Sequence, residues 1–124
     1  MKITIVLDLA RYPHISLERD YALRFIEVIM RKHGSTRDLE EAKRIILGFD
    51  EYYSIAHKKS NGYLVVIKDP ADSLRGRVIV HKVKLLTEHG KKIVELILDR
   101  RAPRELIISS LEELGFTEVE FTSI

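Results

Sequence analysis

Two alternating runs flank a His-Gly pair near the middle of this chain. R-V-I-V-H-K-V-K-L-L covers residues 77–86, and K-K-I-V-E-L-I-L-D covers residues 91–99. Two strands joined by His89 and Gly90 alone have room only to fold back on each other, so the pairing here is antiparallel. The turn also sets a register. Glu88 is expected opposite Lys91, Lys84 opposite Glu95, Arg100 opposite Ile79 and Arg77 opposite Ala102. Ile79, His81, Val83 and Leu85 then share a core face with Val94, Leu96 and Leu98. Val78, Val80, Lys82 and Lys84 share the outer face with Ile93, Glu95 and Ile97. A slip of one residue would exchange the two faces.

The rest of the chain is arranged around this hairpin. Residues 2–9 alternate Ile3, Ile5, Leu7 and Leu9, which reads as a strand rather than a leader, because Asp8 interrupts the apolar run. Pro13 breaks it. Ser16 is placed to cap a helix that ends at Gly34, with Leu17, Tyr21, Phe25, Val28 and Ile29 at helical spacing. A second helix starts at Ser35 or Thr36. Its apolar stripe is Leu39, Ala42, Ile45, Ile46, Phe49, Tyr52, Tyr53 and Ala56. Gly48 lies inside it and marks a kink or a join between shorter helices. Residues 60–62 form a turn, 63–68 a strand and 69–77 a loop. Pro103 suits the first turn of a helix carrying Leu106, Ile107, Ser110, Leu111 and Leu114, and Gly115 ends it. Residues 116–124 close the chain as a strand, with Val119 and Phe121 inward. The expected order is β-α-α-β-β-β-α-β. That is an α+β fold with a mixed, largely antiparallel sheet and helices mainly on one face. The strand order does not follow from the sequence.

Composition narrows the function classes. The chain has 124 residues, a length expected of a single domain. It has no cysteine, which removes disulfides and thiolate chemistry. Hydrophobic residues make up 45% and charged residues 32%, a balance that excludes disorder. No apolar run reaches the length of a membrane span, so a cytoplasmic protein with no membrane partner is expected. Gln and Trp are absent, and Ile, Glu, Lys and Arg are plentiful. This pattern is expected of a thermophilic archaeal protein.

A net charge of +2 does not by itself call for a polyanion. Clustering must supply the case. In the derived register, Arg75, Arg77, Arg100, Arg101 and Arg104 converge at the open end of the hairpin. Arginine forks beside a helix start suit a phosphate. The same arginines are also read as a surface network neutralised by Asp69, Asp72, Asp99 and Glu105. A second basic element is Lys58 and Lys59 after His57, with Lys82 and Lys84 on the outer sheet face. Residues 49–63 hold four of the nine aromatics. Phe49, Tyr52 and Tyr53 fall on the apolar stripe, and Tyr52, Tyr53 or Tyr63 is a stacking candidate at a cleft edge.

Single-stranded DNA or RNA is therefore the expected partner. A homodimer through the outer sheet face or the final strand is the alternative, and an enzyme on a phosphorylated small molecule a further one. No cofactor is expected. The histidines offer no i, i+4 metal pair, and no phosphate-binding glycine loop or nucleophile elbow is present. Asp8 and Asp50 are carboxylates of interest only where they meet in space.

Overall fold

The computed structural model describes residues 2–7 and 12–123, with side chains described from Tyr12 to Glu120. Its strands are β1 (Lys2–Leu7), β2 (His14–Glu18), β3 (Tyr63–Val65), β4 (Val80–Glu88), β5 (Lys91–Leu98) and β6 (Glu118–Ser123). Its helices are α1 (Arg19–His33), α2 (Arg37–Leu47), α3 (Phe49–Lys59), α4 (Pro70–Leu74) and α5 (Arg104–Glu113). The strands form one sheet in the order β3-β4-β5-β2-β1-β6. All neighbours run antiparallel except β1 and β6, which are parallel. The fold is α+β.

The hairpin turn is as expected. His89 and Gly90 have φ of 51° and 78°, the left-handed pair that a tight two-residue turn needs. Glu88 pairs with Lys91 and Lys84 with Glu95. The register then breaks, because Val80 pairs with Leu98 while Lys82 pairs with Ile97. His81 is the extra residue of a β-bulge. Beyond it Asp99, not Arg100, stands opposite Ile79, and Asp99 N–H donates to Ile79 O at 2.8 Å. The bulge corrects two expectations. Val78 and Val80, expected outside, are buried, and His81, expected in the core, is part-exposed.

Asp38 holds this irregular segment. It is buried in the first turn of α2, and its Oδ2 accepts from both Ile79 N–H and Val80 N–H at 2.9 Å. A bulge interrupts the ladder and leaves backbone donors needing partners. One carboxylate oxygen serves two of them.

A strand replaces the expected start of the first helix. Ser16 lies in β2, and α1 begins at Arg19 with Glu18 at its N-cap. Ile15 and Leu17 are buried while Ser16 and Glu18 are exposed, so the period is two. Pairing with β5 decides the matter, since Ile15 faces Leu96 and Leu17 faces Val94. The helix ends at Gly34 as expected. Gly48 is the join between α2 and α3. The expected loop over 69–77 contains α4, where Asp69 accepts from Ala71 N–H at 2.8 Å and Pro70 takes the first helical position. Pro103 is the N-cap of α5 rather than part of its first turn. Residues 116 and 117 precede β6 instead of belonging to it, and Phe116 is buried. Residues 8 and 9 and the side chain of Phe121 lie outside the described residues.

The core lies between one sheet face and the helices. Ile15 and Leu17, Val83 and Leu85, and Val94, Leu96 and Leu98 supply the sheet side. Phe25, Ile26, Ile29, Leu39, Ile46 and Leu111 supply the helix side. On the other sheet face no residue of β2–β5 is buried, so the helices leave that face uncovered.

Candidate functional site

The uncovered face can be written out from the pairing. One row across the sheet is Tyr63, Lys84, Glu95 and Ser16. The next is Val65, Lys82, Ile97 and His14. A third is Leu86, Ile93 and Glu18. The face is a mixed platform with an aromatic ring and two lysines at one side and aliphatic side chains toward its middle. Leu86, Ile93 and Ile97 are part-buried there, and Val65 on the edge strand is exposed.

Tyr63 is the aromatic of this platform. Its backbone is held by Ser60, since Tyr63 N–H donates to Ser60 O at 3.2 Å and Ser60 Oγ donates to Tyr63 O at 2.6 Å. The preceding turn depends on Gly62, with φ of 94°. A Cβ on Gly62 would stand 2.8 Å from both His57 Nε2 and Leu85 O. Lys84 Nζ sits 4.7 Å and Lys82 Nζ 6.0 Å from the Tyr63 ring centroid. Cations over a ring face are attracted by its quadrupole. Here the lysines rest on a surface that a flat π-system would also favour.

Three of the five arginines are seen on different partners. Arg77 Nη2 donates to His33 O at 2.8 Å, and His33 Nε2 lies 2.9 Å from Arg77 O. This reciprocal clasp ties the C-terminal end of α1 to the segment entering β4. Arg101 donates from Nη1 to Ser73 O at 2.9 Å, and its Nε lies 3.3 Å from Asp99 Oδ1. Arg75 caps α4, at the same corner as Arg101. Arg100 lies over the Tyr12 ring, 5.4 Å from its centroid. Arg104 opens α5, where it is exposed. The bulge shifts the register by one residue, so that Asp99 rather than Arg100 stands opposite Ile79, and Arg101 lies beside Gly76, between Arg75 and Arg77.

The remaining candidates divide similarly. Lys58 and Lys59 are exposed at the end of α3. Tyr52 and Tyr53 pack against the core with Phe49, as the helical stripe indicates. The Tyr53 ring lies 4.1 Å from that of His57, and its hydroxyl lies 3.3 Å from Thr87 Oγ1. Asp50 is exposed and ion-pairs with Lys92 at 2.9 Å, while Asp8 lies outside the described residues.

Sequence reasoning did not single out Tyr12, Lys68 or Asp38. Tyr12 stacks on His81, with ring centroids 4.3 Å apart. Lys68 Nζ donates to Val66 O at 2.9 Å and to His81 O at 3.0 Å. Burial pushes the Lys68 pKa down, against the opposing pull of the Asp38 and Asp99 carboxylates. Burial also lowers the pKa of His81, helped by the charges of Lys68 and Lys82. The available signal was the acid at the first turn of a helix, but nothing local distinguishes Asp38 from the exposed Glu40 two positions on.

A cleft of about 360 Å³ lies at the turn end of the hairpin, bounded by Glu18, Arg19, Asp20, Gly90, Lys91 and Lys92. Its charges are engaged with one another or nearby, Lys91 with Glu18 at 3.3 Å and Lys92 with Asp50. It is far from the arginines along the hairpin. Among the described residues, no three His, Asp or Glu side chains are placed to hold a metal ion. No described helix is long and apolar enough to cross a membrane. No protein-family model, curated protein or solved structure matches this chain.

Proposed function

We propose that this protein binds single-stranded nucleic acid on the uncovered face of its sheet. The observation that carries the reading is Tyr63, exposed on a face no helix covers, with the ammonium groups of Lys84 and Lys82 over its ring. An unpaired base presents a π-face that stacks on tyrosine, and its phosphates take the lysines that rest there. Duplex is disfavoured, because no described helix presents the basic recognition surface that enters a groove. The arginine corner of Arg75 and Arg101 lies outside this platform, and Arg77 serves the fold.

The test is fluorescence anisotropy with labelled single-stranded DNA, single-stranded RNA and duplex at two salt concentrations. Single strands are expected to bind best, and to weaken as salt rises. Tyr63→Ala is expected to cost about 1–3 kcal/mol for the lost stacking of one base. Lys82→Ala/Lys84→Ala is expected to flatten the log–log salt slope by about 1.4, near 0.7 per single-strand phosphate contact. Affinity indifferent to salt, or to both substitutions, refutes the site.

A second reading is a protein interface at the free edge of β3. Val65 and Ile67 are 67% and 50% exposed along that edge. Unpaired strand edges recruit other strands. Sedimentation equilibrium distinguishes this reading, since a monomer at high concentration rules out self-pairing there.

A further inference from the structure

The bulge in β4 builds a second aromatic and cationic group at the far end of the same face. Leu98 N–H donates to Pro13 O at 2.8 Å, so the extended pairing of β2 with β5 continues back to Pro13. Strand alternation then puts Tyr12 on the same side as His14. The Tyr12 ring meets the His81 imidazole at 4.3 Å with the planes tilted by 34°. The Arg100 guanidinium lies 5.4 Å from the Tyr12 centroid. This repeats the arrangement at Tyr63, a tyrosine ring with a cation over it. Without the extra residue at His81, alternation would turn that imidazole toward the core.

From these contacts we infer that Tyr12, His81 and Arg100 form a second base-stacking subsite for the same single strand. The inference rests on the proposed binding at Tyr63 and extends it. Tyr63 stands opposite Lys84, which is three positions along β4 from His81, so Tyr63 and His81 lie roughly 11 Å apart, about 10 Å along the strand and about 4.8 Å across to β3. A stacked strand rises about 3.4 Å per nucleotide, so bases roughly three steps apart reach both rings. A dinucleotide therefore occupies one subsite, whereas a tetranucleotide spans both. Lys82 and Lys84 lie between them for the intervening phosphates. The ligand is accordingly a short unpaired stretch of about four nucleotides, read by stacking rather than by base identity.

The experiment measures affinity for di-, tetra- and hexathymidylate, and for the matching oligouridylates, at fixed low salt. For the unaltered protein, binding is expected to tighten sharply from two to four nucleotides and little beyond. Tyr12→Leu should weaken tetranucleotide binding by about 10-fold or more and leave dinucleotide binding within about 2-fold. Tyr63→Leu should weaken both. Arg100→Gln, at an exposed side chain, provides a second variant: it should reduce the salt dependence for the tetranucleotide and not for the dinucleotide. Tetranucleotide binding unchanged in both Tyr12→Leu and Arg100→Gln, with Tyr63→Leu impaired, overturns the second subsite and leaves the Tyr63 site standing. Failure of the unaltered protein to bind any of these oligonucleotides overturns both.

Discussion

Asp38 provides the sharpest test of how the platform is built. Replacing it with Ala removes the acceptor for two buried donors, the N–H groups of Ile79 and Val80. Each buried donor left unpaired costs about 1–3 kcal/mol. Some of this is offset, because the carboxylate itself is fully buried and its removal relieves an unfavourable desolvation. Its Oδ1 has no hydrogen-bond partner among the described residues, so the main further loss is its attraction for Lys68. The net expectation is a destabilisation of about 2–4 kcal/mol. Asp38→Asn separates the two contributions. The amide oxygen can occupy the place of Oδ2 and still accept from both donors, losing mainly the assistance of the charge, for about 1 kcal/mol. Urea unfolding followed by circular dichroism measures both variants, with an unchanged m-value required for comparison. Asp38→Ala within about 0.5 kcal/mol of the unaltered protein, or no worse than Asp38→Asn, would refute the claim that this carboxylate holds the bulge.

Further expectations can be tested independently. Gly62→Ala should destabilise by at least about 1–2 kcal/mol, because a Cβ there meets His57 Nε2 and Leu85 O at a positive φ; the same urea melts measure it. Stability should fall as pH drops below about 6.5, because burial lowers the folded pKa of His81 and the unfolded chain takes up the proton first. The contribution is fully present above that pH, and His81→Gln should flatten the dependence in melts between pH 5 and 8, roughly the range in which histidine titrates. Arg77→Ala should cost about 1 kcal/mol through the lost bond to His33 O yet leave oligonucleotide affinity unchanged, which separates the clasp from the binding face in a paired melt and anisotropy measurement.

The residues that were legible in the sequence are those whose structure depends on near neighbours. The His89-Gly90 turn sets the first pairs of the hairpin, and the stripe from Leu39 to Ala56 places Phe49, Tyr52 and Tyr53 against the core. What was not legible depends on distant partners. Ser16 reads as a helix cap until β5 is beside it. His81 reads as a core position in an unbroken ladder, and the break is held by Asp38, more than forty residues earlier. The candidate site follows the same division. Tyr63, Lys82 and Lys84 are identifiable from local pattern, whereas Tyr12 joins the face only because β2 is placed next to β5. The level of Arg100 was not legible, because its expected place opposite Ile79 assumed a regular ladder.

The parallel pairing of β1 with β6 has a consequence for how the chain folds. Lys2 lies opposite Glu118, and Leu7 opposite Ser123. During synthesis β2 and the hairpin can assemble once β5 is made, but β1 waits for residues 118–123 before both its sides are covered. Closing that loop spans nearly the whole length described, and such non-local pairings slow folding. On the ribosome, β1 is therefore a temporary sheet edge. Until β6 pairs with it, the growing sheet has two open edges, β3 and β1, where the finished sheet has β3 and β6.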